Sequence, residues 1–407
     1  MEQTITITPT KLSGRLTVPP SKSAAHRLLI CAALAKDKSI VKNVALSQDI
    51  SATISAMRAL GSTISECDNG FVCSSNEYNI KNEPILIDCS ESGSTLRFLI
   101  PIALAFGGSF RFTGRGRLLS RPLDAYYKIC DEKGIKYKKN ENEIFFSGKL
   151  TSGEYSLAGN VSSQYISGLL FALPLISGNS TIKITTPLES AGYIDMTLSA
   201  LSDFGIKVEN RNYQEFFVPG GQSYKAHDCT VEGDYSQAAF YLVANALGSD
   251  VALDGLNKSS VQGDKEIINI IKNMGKPLSA MDIDVSQIPD LVPVLAVLAT
   301  QANGTTRIYN AARLRIKESD RLATTTKELK KLGADITELS DELIIRGKTE
   351  LSGGVCDAHN DHRIAMALAV AATVAKGEVI INGSDCVKKS YGNFWHDYSA
   401  LGGKIYG

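Results

Sequence analysis

The chain of 407 residues is longer than one typical domain and of ordinary length for two. Its 43% hydrophobic and 21% charged content supplies material for large buried cores and excludes a disordered chain. Lys plus Arg and Asp plus Glu each number 43, so the net charge is zero; this excludes a protein that wraps nucleic acid through a basic excess, and any anion site must come from locally clustered cations.

The opening Met1-Glu-Gln-Thr-Ile alternates polar and apolar residues and lacks the apolar centre of a signal peptide. The longest apolar runs, near Leu96–Phe106 and Leu291–Thr300, are too short to span a bilayer and contain Pro101 and Pro293. The eight cysteines, at 31, 67, 73, 89, 130, 229, 356 and 386, include no C-x-x-C pair, which argues for free thiols in a reducing compartment. A cytoplasmic protein is the expectation.

One pattern recurs along the chain: a helical stretch, a glycine, then a short apolar strand. It runs through Met57-Arg-Ala-Leu-Gly61, Cys130-Asp-Glu-Lys-Gly134, Leu201-Ser-Asp-Phe-Gly205, Lys272-Asn-Met-Gly275, Leu329-Lys-Lys-Leu-Gly333 and Tyr398-Ser-Ala-Leu-Gly402. Glycine is the usual residue just past a helix because it takes positive φ without a Cβ clash. The glycines stand 73, 71, 70, 58 and 69 residues apart, a period that argues for six duplicated α/β units. After Gly134, Gly205 and Gly333, alternating residues around short polar turns (Asn140-Glu-Asn, Asn210-Arg-Asn, and the stretch before Glu342) predict antiparallel hairpins. Three units precede about residue 232 and three come after it. A long helix is expected from near Gly233, capped by Asp234 or Ser236.

Cations and hydroxyls gather at predicted helix starts in both halves. Pro19-Pro-Ser-Lys22-Ser23-Ala-Ala-His-Arg27 ends a strand and opens a helix whose free N–H groups and dipole favour an anion. Ile85-Leu-Ile-Asp-Cys-Ser-Glu91-Ser-Gly93-Ser-Thr-Leu-Arg97 reads as strand, small-residue turn and helix, without the Gly-Lys-Ser/Thr ending of a Walker motif. Arg121 precedes Pro122 and is therefore extended. Ser162-Ser163-Gln164 opens the apolar Tyr165–Leu175. Ile288-Pro-Asp290 precedes an apolar run, His359-Asn-Asp-His362-Arg363 precedes another, and Lys388-Lys389-Ser-Tyr lies near the end. Taken singly, each fits a cap or a solvated charge; their repetition in both halves points to substrates with several negative groups, bound by residues from both.

The densest run is Arg313-Leu-Arg-Ile-Lys317-Glu318-Ser-Asp-Arg321. Read as a helix face, it would set Lys317 and Arg321 one turn apart, where like charges repel unless an anion sits between them. Glu318 stands beside them as a proton carrier.

With the repeat, the motifs Pro-Ser-Lys-Ser-x-x-x-Arg, Ser-Ser-Gln, Tyr193-Ile-Asp, Ile-Pro-Asp, Arg-x-Lys-Glu-Ser-Asp-Arg, Asn-Asp-His-Arg and Lys-Ser-Tyr resemble, in the same order, the enolpyruvyl transferases, in the branch that acts on shikimate 3-phosphate. The resemblance implies an α/β (α+β) fold: a two-domain inside-out barrel of six βαβαββ repeats, with residues 1–19 and 233–407 forming one discontinuous domain and 20–232 inserted. It implies transfer of the enolpyruvyl group of phosphoenolpyruvate to the 5-hydroxyl of shikimate 3-phosphate, with no cofactor or metal, by a monomer without nucleic-acid or membrane partners. Carried over by motif, Ser23, Arg27, Ser162, Ser163, Gln164 and Ser190 would hold the shikimate phosphate and ring. Lys22, Gly93, Arg121, Gln164, Arg321, Arg363 and Lys389 would surround phosphoenolpyruvate. Asp290 and Lys317 would meet the reacting hydroxyl, with Asp290 as proton acceptor and Glu318 or Lys22 protonating the methylene carbon. Dianionic ligands would then draw the halves together.

Glu91 and Phe98 depart from the family's usual pattern around Gly93, as Arg313 does from the Asn of some members. Gly93 itself is kept, and in the family alanine there narrows the phosphoenolpyruvate site and lessens glyphosate inhibition, so sensitivity is expected. The sister activity on UDP-N-acetylglucosamine usually uses a cysteine in a glycine-rich loop, whereas Gly114-Arg-Gly-Arg-Leu-Leu-Ser-Arg121 has none. A metal hydrolase built on His359 and His362 lacks a third ligand, and a non-catalytic phosphosugar-binding protein would bind both anions yet release no phosphate.

Overall fold

A computed structural model describes residues 3–76 and 83–407; Met1 and Glu2, which open the stretch read above for a leader, lie outside the described residues. The chain divides into two compact units, Lys22–Glu232 and the discontinuous Met1–Ser21 with Gly233–Gly407.

The Lys22–Glu232 unit contains helices α1 (Lys22–Leu34), α2 (Gln48–Ala59), α3 (Gly93–Phe106), α4 (Asp124–Lys133), α5 (Ser163–Ala172) and α6 (Ala191–Asp203). Its three four-stranded sheets share one plan. Ile85–Asp88 pairs in parallel with Gly108–Thr113, which pairs antiparallel with Glu143–Gly148, itself antiparallel to Lys136–Lys139. Gly153–Leu157, Ser180–Ile184, Glu215–Val218 and Glu209–Arg211 repeat it, as do Cys229–Thr230, Ser39–Lys42, Gly70–Ser74 and Thr63–Cys67. A parallel pair needs a crossover, and α3 and α5 provide two of them. Such a helix is apolar all round and therefore buried: α3 buries every residue from Thr95 to Ala105. By contrast α4, Asp-Ala-Tyr-Tyr-Lys-Ile-Cys-Asp-Glu-Lys, buries only Tyr126, Ile129 and Cys130 and lies outside. Each repeat thus has an inner and an outer helix, with α3 packed on α5 and α1 on α2 and α6.

The second unit repeats the plan with α7 (Tyr235–Ala246), α8 (Ile267–Met274), α9 (Val292–Thr300), α10 (Arg321–Lys331), α11 (His362–Ala372) and α12 (Phe394–Ala400). All of α9 and α11 is buried, and they pack on each other and on α7. Asp234 caps α7, accepting from the N–H groups of Ser236 and Gln237. One sheet runs Asp282–Asp284, Gly304–Tyr309, Leu343–Gly347, Asp335–Glu338; another runs Gly354–Asp357, Val379–Asn382, Ile5–Thr8, Lys404–Tyr406. Each unit has its own hydrophobic core.

All six repeat glycines take positive φ, between 67° and 103°, as the helix-stop reading requires. The strand expected after Gly275 does not form among the described residues, and Asp250–Asp254 pairs only with Ser13–Thr17. The reason is chain length and Pro277: α8 ends at Met274 and the next strand begins at Asp282, too short a span for a hairpin, while a proline cannot donate to a ladder. After Gly205 the strand is Glu209–Arg211 and the turn begins at Asn212, with Asn212 and Tyr213 both left-handed, two residues later than the sequence suggests. Among the described residues no helix is long and apolar enough to cross a membrane.

Candidate active site

In the Lys22–Glu232 unit the candidate residues stand at helix starts. Lys22 opens α1, and its ammonium pairs with Asp49 of α2 at 2.9 Å, both largely shielded from solvent. Gly93 opens α3 behind its cap Ser92. A Cβ on Gly93 would lie 2.8 Å from Arg121 Nη1, 3.1 Å from Arg97 Nη1 and 3.8 Å from Gln164 Oε1, so two guanidiniums and an amide crowd that backbone. Arg97 donates to Gln164 Oε1 at 2.8 Å and to the Pro122 carbonyl at 3.3 Å, and lies over the Tyr165 ring. Gln164 in turn donates from Nε2 to Ser94 Oγ at 3.0 Å. Ser162 caps α5, and Ser163 is its first residue. Ser190, in the left-handed region at φ 56°, precedes α6.

Arg27 is buried under the Phe98 and Tyr193 rings. It donates to Thr197 Oγ1 at 2.8 Å, the Ser23 carbonyl at 2.7 Å and the Tyr193 carbonyl at 2.8 Å, which leaves at most two of its five N–H groups for a ligand. Burial lowers its pKa to about 10. Phe98 packs inside the core against Phe171, and the Glu91 carboxylate lies against Gly116.

In the other unit five candidates form one network. Arg321 opens α10 with its side chain 1% exposed. It donates to Asp290 Oδ1 at 2.9 Å, to Glu318 Oε2 at 2.6 Å and to Asp361 at 2.8 and 3.3 Å. Arg363 donates to Asp290 Oδ2 at 3.0 Å and to the Asp290 carbonyl at 3.2 Å; Lys317 reaches Asp290 Oδ1 at 3.4 Å. Lys389 donates to the Asn360 carbonyl at 2.9 Å, beside Asp361. Burial would lower the Arg321 pKa, but Asp361, Glu318 and Asp290 hold it above its ordinary value. Burial would raise that of Asp361, and chiefly Arg321 holds it below. Burial lowers the Lys317 pKa against the pull of Asp290. Asp264, buried and bonded to Ser236, is raised to about 6 by burial and then by the charge of Asp290.

The run Arg313–Arg321 is not one helix face. Ala312–Ile316 forms a 3₁₀ turn, Lys317 is extended, and α10 begins only at Arg321, because Asp320 caps it by accepting from Ala323 N–H. Lys317 and Arg321 therefore do not stand one turn apart on a helix face; both bond Oδ1 of Asp290, whose charge offsets the repulsion between them. Arg315 turns to Asp320 and Glu338 instead.

The sequence model of the EPSP synthase (3-phosphoshikimate 1-carboxyvinyltransferase) family matches residues 7–398. The chain belongs to that family. It is 51% identical to the 3-phosphoshikimate 1-carboxyvinyltransferase of Clostridium beijerinckii, over 98% of this chain and 97% of the relative. To that of Clostridium perfringens it is 50% identical, over 99% of each. The EPSP synthase structure from Acinetobacter baumannii superposes with a TM-score of 0.83 at 26% identity, covering all of both chains. The enolpyruvyl transferase NikO from Streptomyces tendae, at 18% identity and TM-score 0.81 over 100% of this chain and 98% of that one, shares the fold.

Family motifs supplied Asp290, Lys317, Glu318, Arg321 and Arg363, but not their partners. Asp361 and Arg97 were missed, although each lies inside a quoted motif; a buried cap position and an arginine four residues past Gly93 were the available signals. Asp49 carried none, as its pairing with Lys22 joins separate helices. His359 bonds the buried Glu328 at 2.8 Å, and among the described residues no cluster of three or more His, Cys, Asp or Glu side chains is placed to hold a metal.

Proposed function

We propose that this chain transfers the enolpyruvyl group of phosphoenolpyruvate to the 5-hydroxyl of shikimate 3-phosphate, giving 5-enolpyruvylshikimate 3-phosphate and phosphate on the way to chorismate and the aromatic amino acids. The observation that carries the reading is the Asp290 carboxylate with Lys317, Arg321 and Arg363 all bonded to it and Glu318 sharing Arg321, in a chain that matches relatives of that activity from end to end.

The reaction explains the residue types. The 5-hydroxyl oxygen adds to C2 of phosphoenolpyruvate while C3 gains a proton; C3 then returns that proton as the C2–O bond to phosphate breaks. Asp290 accepts the hydroxyl proton, and Glu318 or Lys22 serves C3 as acid and then base. Charge on the phosphate and carboxylate persists throughout, so Lys22, Arg121, Arg321, Arg363 and Lys389, with Gly93 and Gln164, bind phosphoenolpyruvate as fixed positive or donor groups. Ser23, Arg27, Ser162, Ser163, Gln164 and Ser190 hold shikimate 3-phosphate, and Lys317 meets its reacting hydroxyl. On this reading the enzyme works in the cytoplasm, as a monomer.

Phosphate release from shikimate 3-phosphate plus phosphoenolpyruvate, with and without chelator, tests this. Equal turnover in both is expected. Turnover only with UDP-N-acetylglucosamine, only with added zinc, or binding without release overturns it.

A further inference from the structure

A buried chain of hydrogen bonds ties helices α1 and α2 of the Lys22–Glu232 unit to the start of α3. His26 Nδ1 lies 2.8 Å from Thr53 Oγ1, and Thr53 Oγ1 lies 2.6 Å from Thr95 Oγ1. Thr95 donates to Ser92 Oγ at 2.7 Å, beside the Asp49 carbonyl at 3.4 Å, and Ser92 Oγ also accepts the Thr95 N–H at 3.2 Å. None of these four side-chain groups has access to water: His26, Thr53, Ser92 and Thr95 are at most 1% exposed. The chain therefore runs from α1 through α2 to the cap of α3, and Asp49 at its side is the partner of Lys22.

Its direction comes from counting protons. Each hydroxyl has one hydrogen to give. Thr95 gives its own toward Ser92 and the Asp49 carbonyl, and the carbonyl can only accept. Thr53 then donates to Thr95, and His26 Nδ1–H donates to Thr53. His26 Nε2 keeps a lone pair, buried without a hydrogen-bond partner, on a ring set edge-on to Phe98. The reverse direction would put an N–H at Nε2 with nothing to receive it, and an orphan buried donor is rarer than an orphan acceptor. Burial, with the charges of Lys22 and Arg27, pushes the imidazole pKa well below its ordinary value, so the ring is neutral.

We propose that His26 is a positioning residue for phosphoenolpyruvate: as the neutral Nδ1–H tautomer it heads a one-way chain through Thr53 and Thr95 to Ser92 and fixes the start of α3, with Gly93 and Arg97, against the Lys22–Asp49 pair. The inference rests on the assignment of Lys22 and Gly93 to phosphoenolpyruvate made above. His26 touches no reacting atom; it acts through the start of α3 to which the chain leads.

Two measurements on the full chain test it. Nitrogen NMR of protein labelled at its five histidines, with the His26 signals identified by their loss in His26→Asn, should show protonated Nδ1 and bare Nε2, unchanged from about pH 6 to about pH 9. An Nε2–H tautomer, or a ring that titrates in that range, overturns the proposal. The second measurement is kinetic. Thr53→Val keeps the side-chain shape and breaks the chain; it should raise KM for phosphoenolpyruvate about tenfold and leave that for shikimate 3-phosphate within about twofold. His26→Asn, whose Nδ2 hangs on the same Cγ as the lost Nδ1, should stay near the parent, whereas His26→Leu should behave like Thr53→Val. A lower melting temperature with unchanged KM values in Thr53→Val, or His26→Asn as impaired as His26→Leu, reduces the chain to a packing feature and refutes the proposal. A parent chain that releases no phosphate sinks the functional reading instead and leaves the tautomer result standing.

Discussion

Arg321→Met removes a side chain that bonds three carboxylates, those of Asp290, Glu318 and Asp361. Arg321 has no access to water, and its partner Asp361 has none either, with side-chain exposures of 1% and 0%. The variant strands Asp361 as a buried charge without its cation, and deleting one member of a buried pair costs about 3–5 kcal/mol. Adding Asp361→Asn removes the stranded charge. Asparagine still caps α11 by accepting the Arg363 N–H that Asp361 accepts at 3.0 Å, so the double variant should regain about 1–3 kcal/mol over the single one. Asp290 and Glu318 lose less, being 15% and 22% exposed, and Asp290 keeps Arg363 and Lys317. Urea unfolding of the parent, Arg321→Met, Asp361→Asn and the double variant, compared at equal m-values, reads the cycle. A single variant within about 0.5 kcal/mol of the parent, or a double variant no more stable than the single, refutes the claim that Asp361 is the partner that makes Arg321 structural as well as cationic.

The same pair sets an acid limit. The Asp361 carboxyl is held below its ordinary range when folded, so its stabilisation is present above its unfolded pKa of about 3.9 and is lost as pH falls through the lower folded value. In Arg321→Met burial alone would raise that pKa, and the sign inverts: the variant should gain stability as pH drops from about 7 toward about 4, and thermal melts across that range that parallel the parent would contradict this. Gly93→Ala should leave the melting point almost unchanged, because a methyl 2.8 Å from Arg121 Nη1 meets the flexible end of a side chain; displacing that guanidinium should weaken phosphoenolpyruvate by about 1.5 kcal/mol, roughly tenfold in KM, and an unchanged KM would exclude Arg121 from the site. Asp290→Asn should cut turnover by at least about a hundredfold while shikimate 3-phosphate still binds, measured by calorimetry; near-parent phosphate release would remove Asp290 as the proton acceptor.

The repeat was legible because its punctuation is local. Gly61, Gly134, Gly205, Gly275, Gly333 and Gly402 each sit where a helix must stop, and all take the backbone angle that only glycine adopts without strain. The conformation of the chain beyond Gly275 was not legible from the glycine alone, since Pro277 and the nearness of Asp282 decide it. The run Arg313–Arg321 misled for a related reason. Helical spacing assigns faces only inside a helix, and Asp320 resets the count by capping α10 one residue before Arg321. Arg97 shows the other blind spot: an arginine inside an apolar helix is a conspicuous letter, yet its role is set by Gln164 and Pro122, far away in the chain.

On the proposed assignment of the site residues, the pairing pattern bears on how a neutral chain recognises highly charged metabolites. Lys22 is matched by Asp49, Lys317 and Arg363 by Asp290, and Arg321 by Asp290, Glu318 and Asp361. A ligand anion therefore gains little by replacing one of these carboxylates with one of its own, because each exchange trades one ion pair for another in a similar setting. A ligand that presents phosphate and carboxylate together, at a fixed separation, can make several exchanges at once, while a lone phosphate or chloride makes one. Selection then comes from geometry more than from net attraction. On the proposed mechanism the exchange has a second effect. As Arg321 and Arg363 turn toward phosphoenolpyruvate, Asp290 loses cations that stabilise its charged form, so its basicity rises at the step in which the hydroxyl proton must leave.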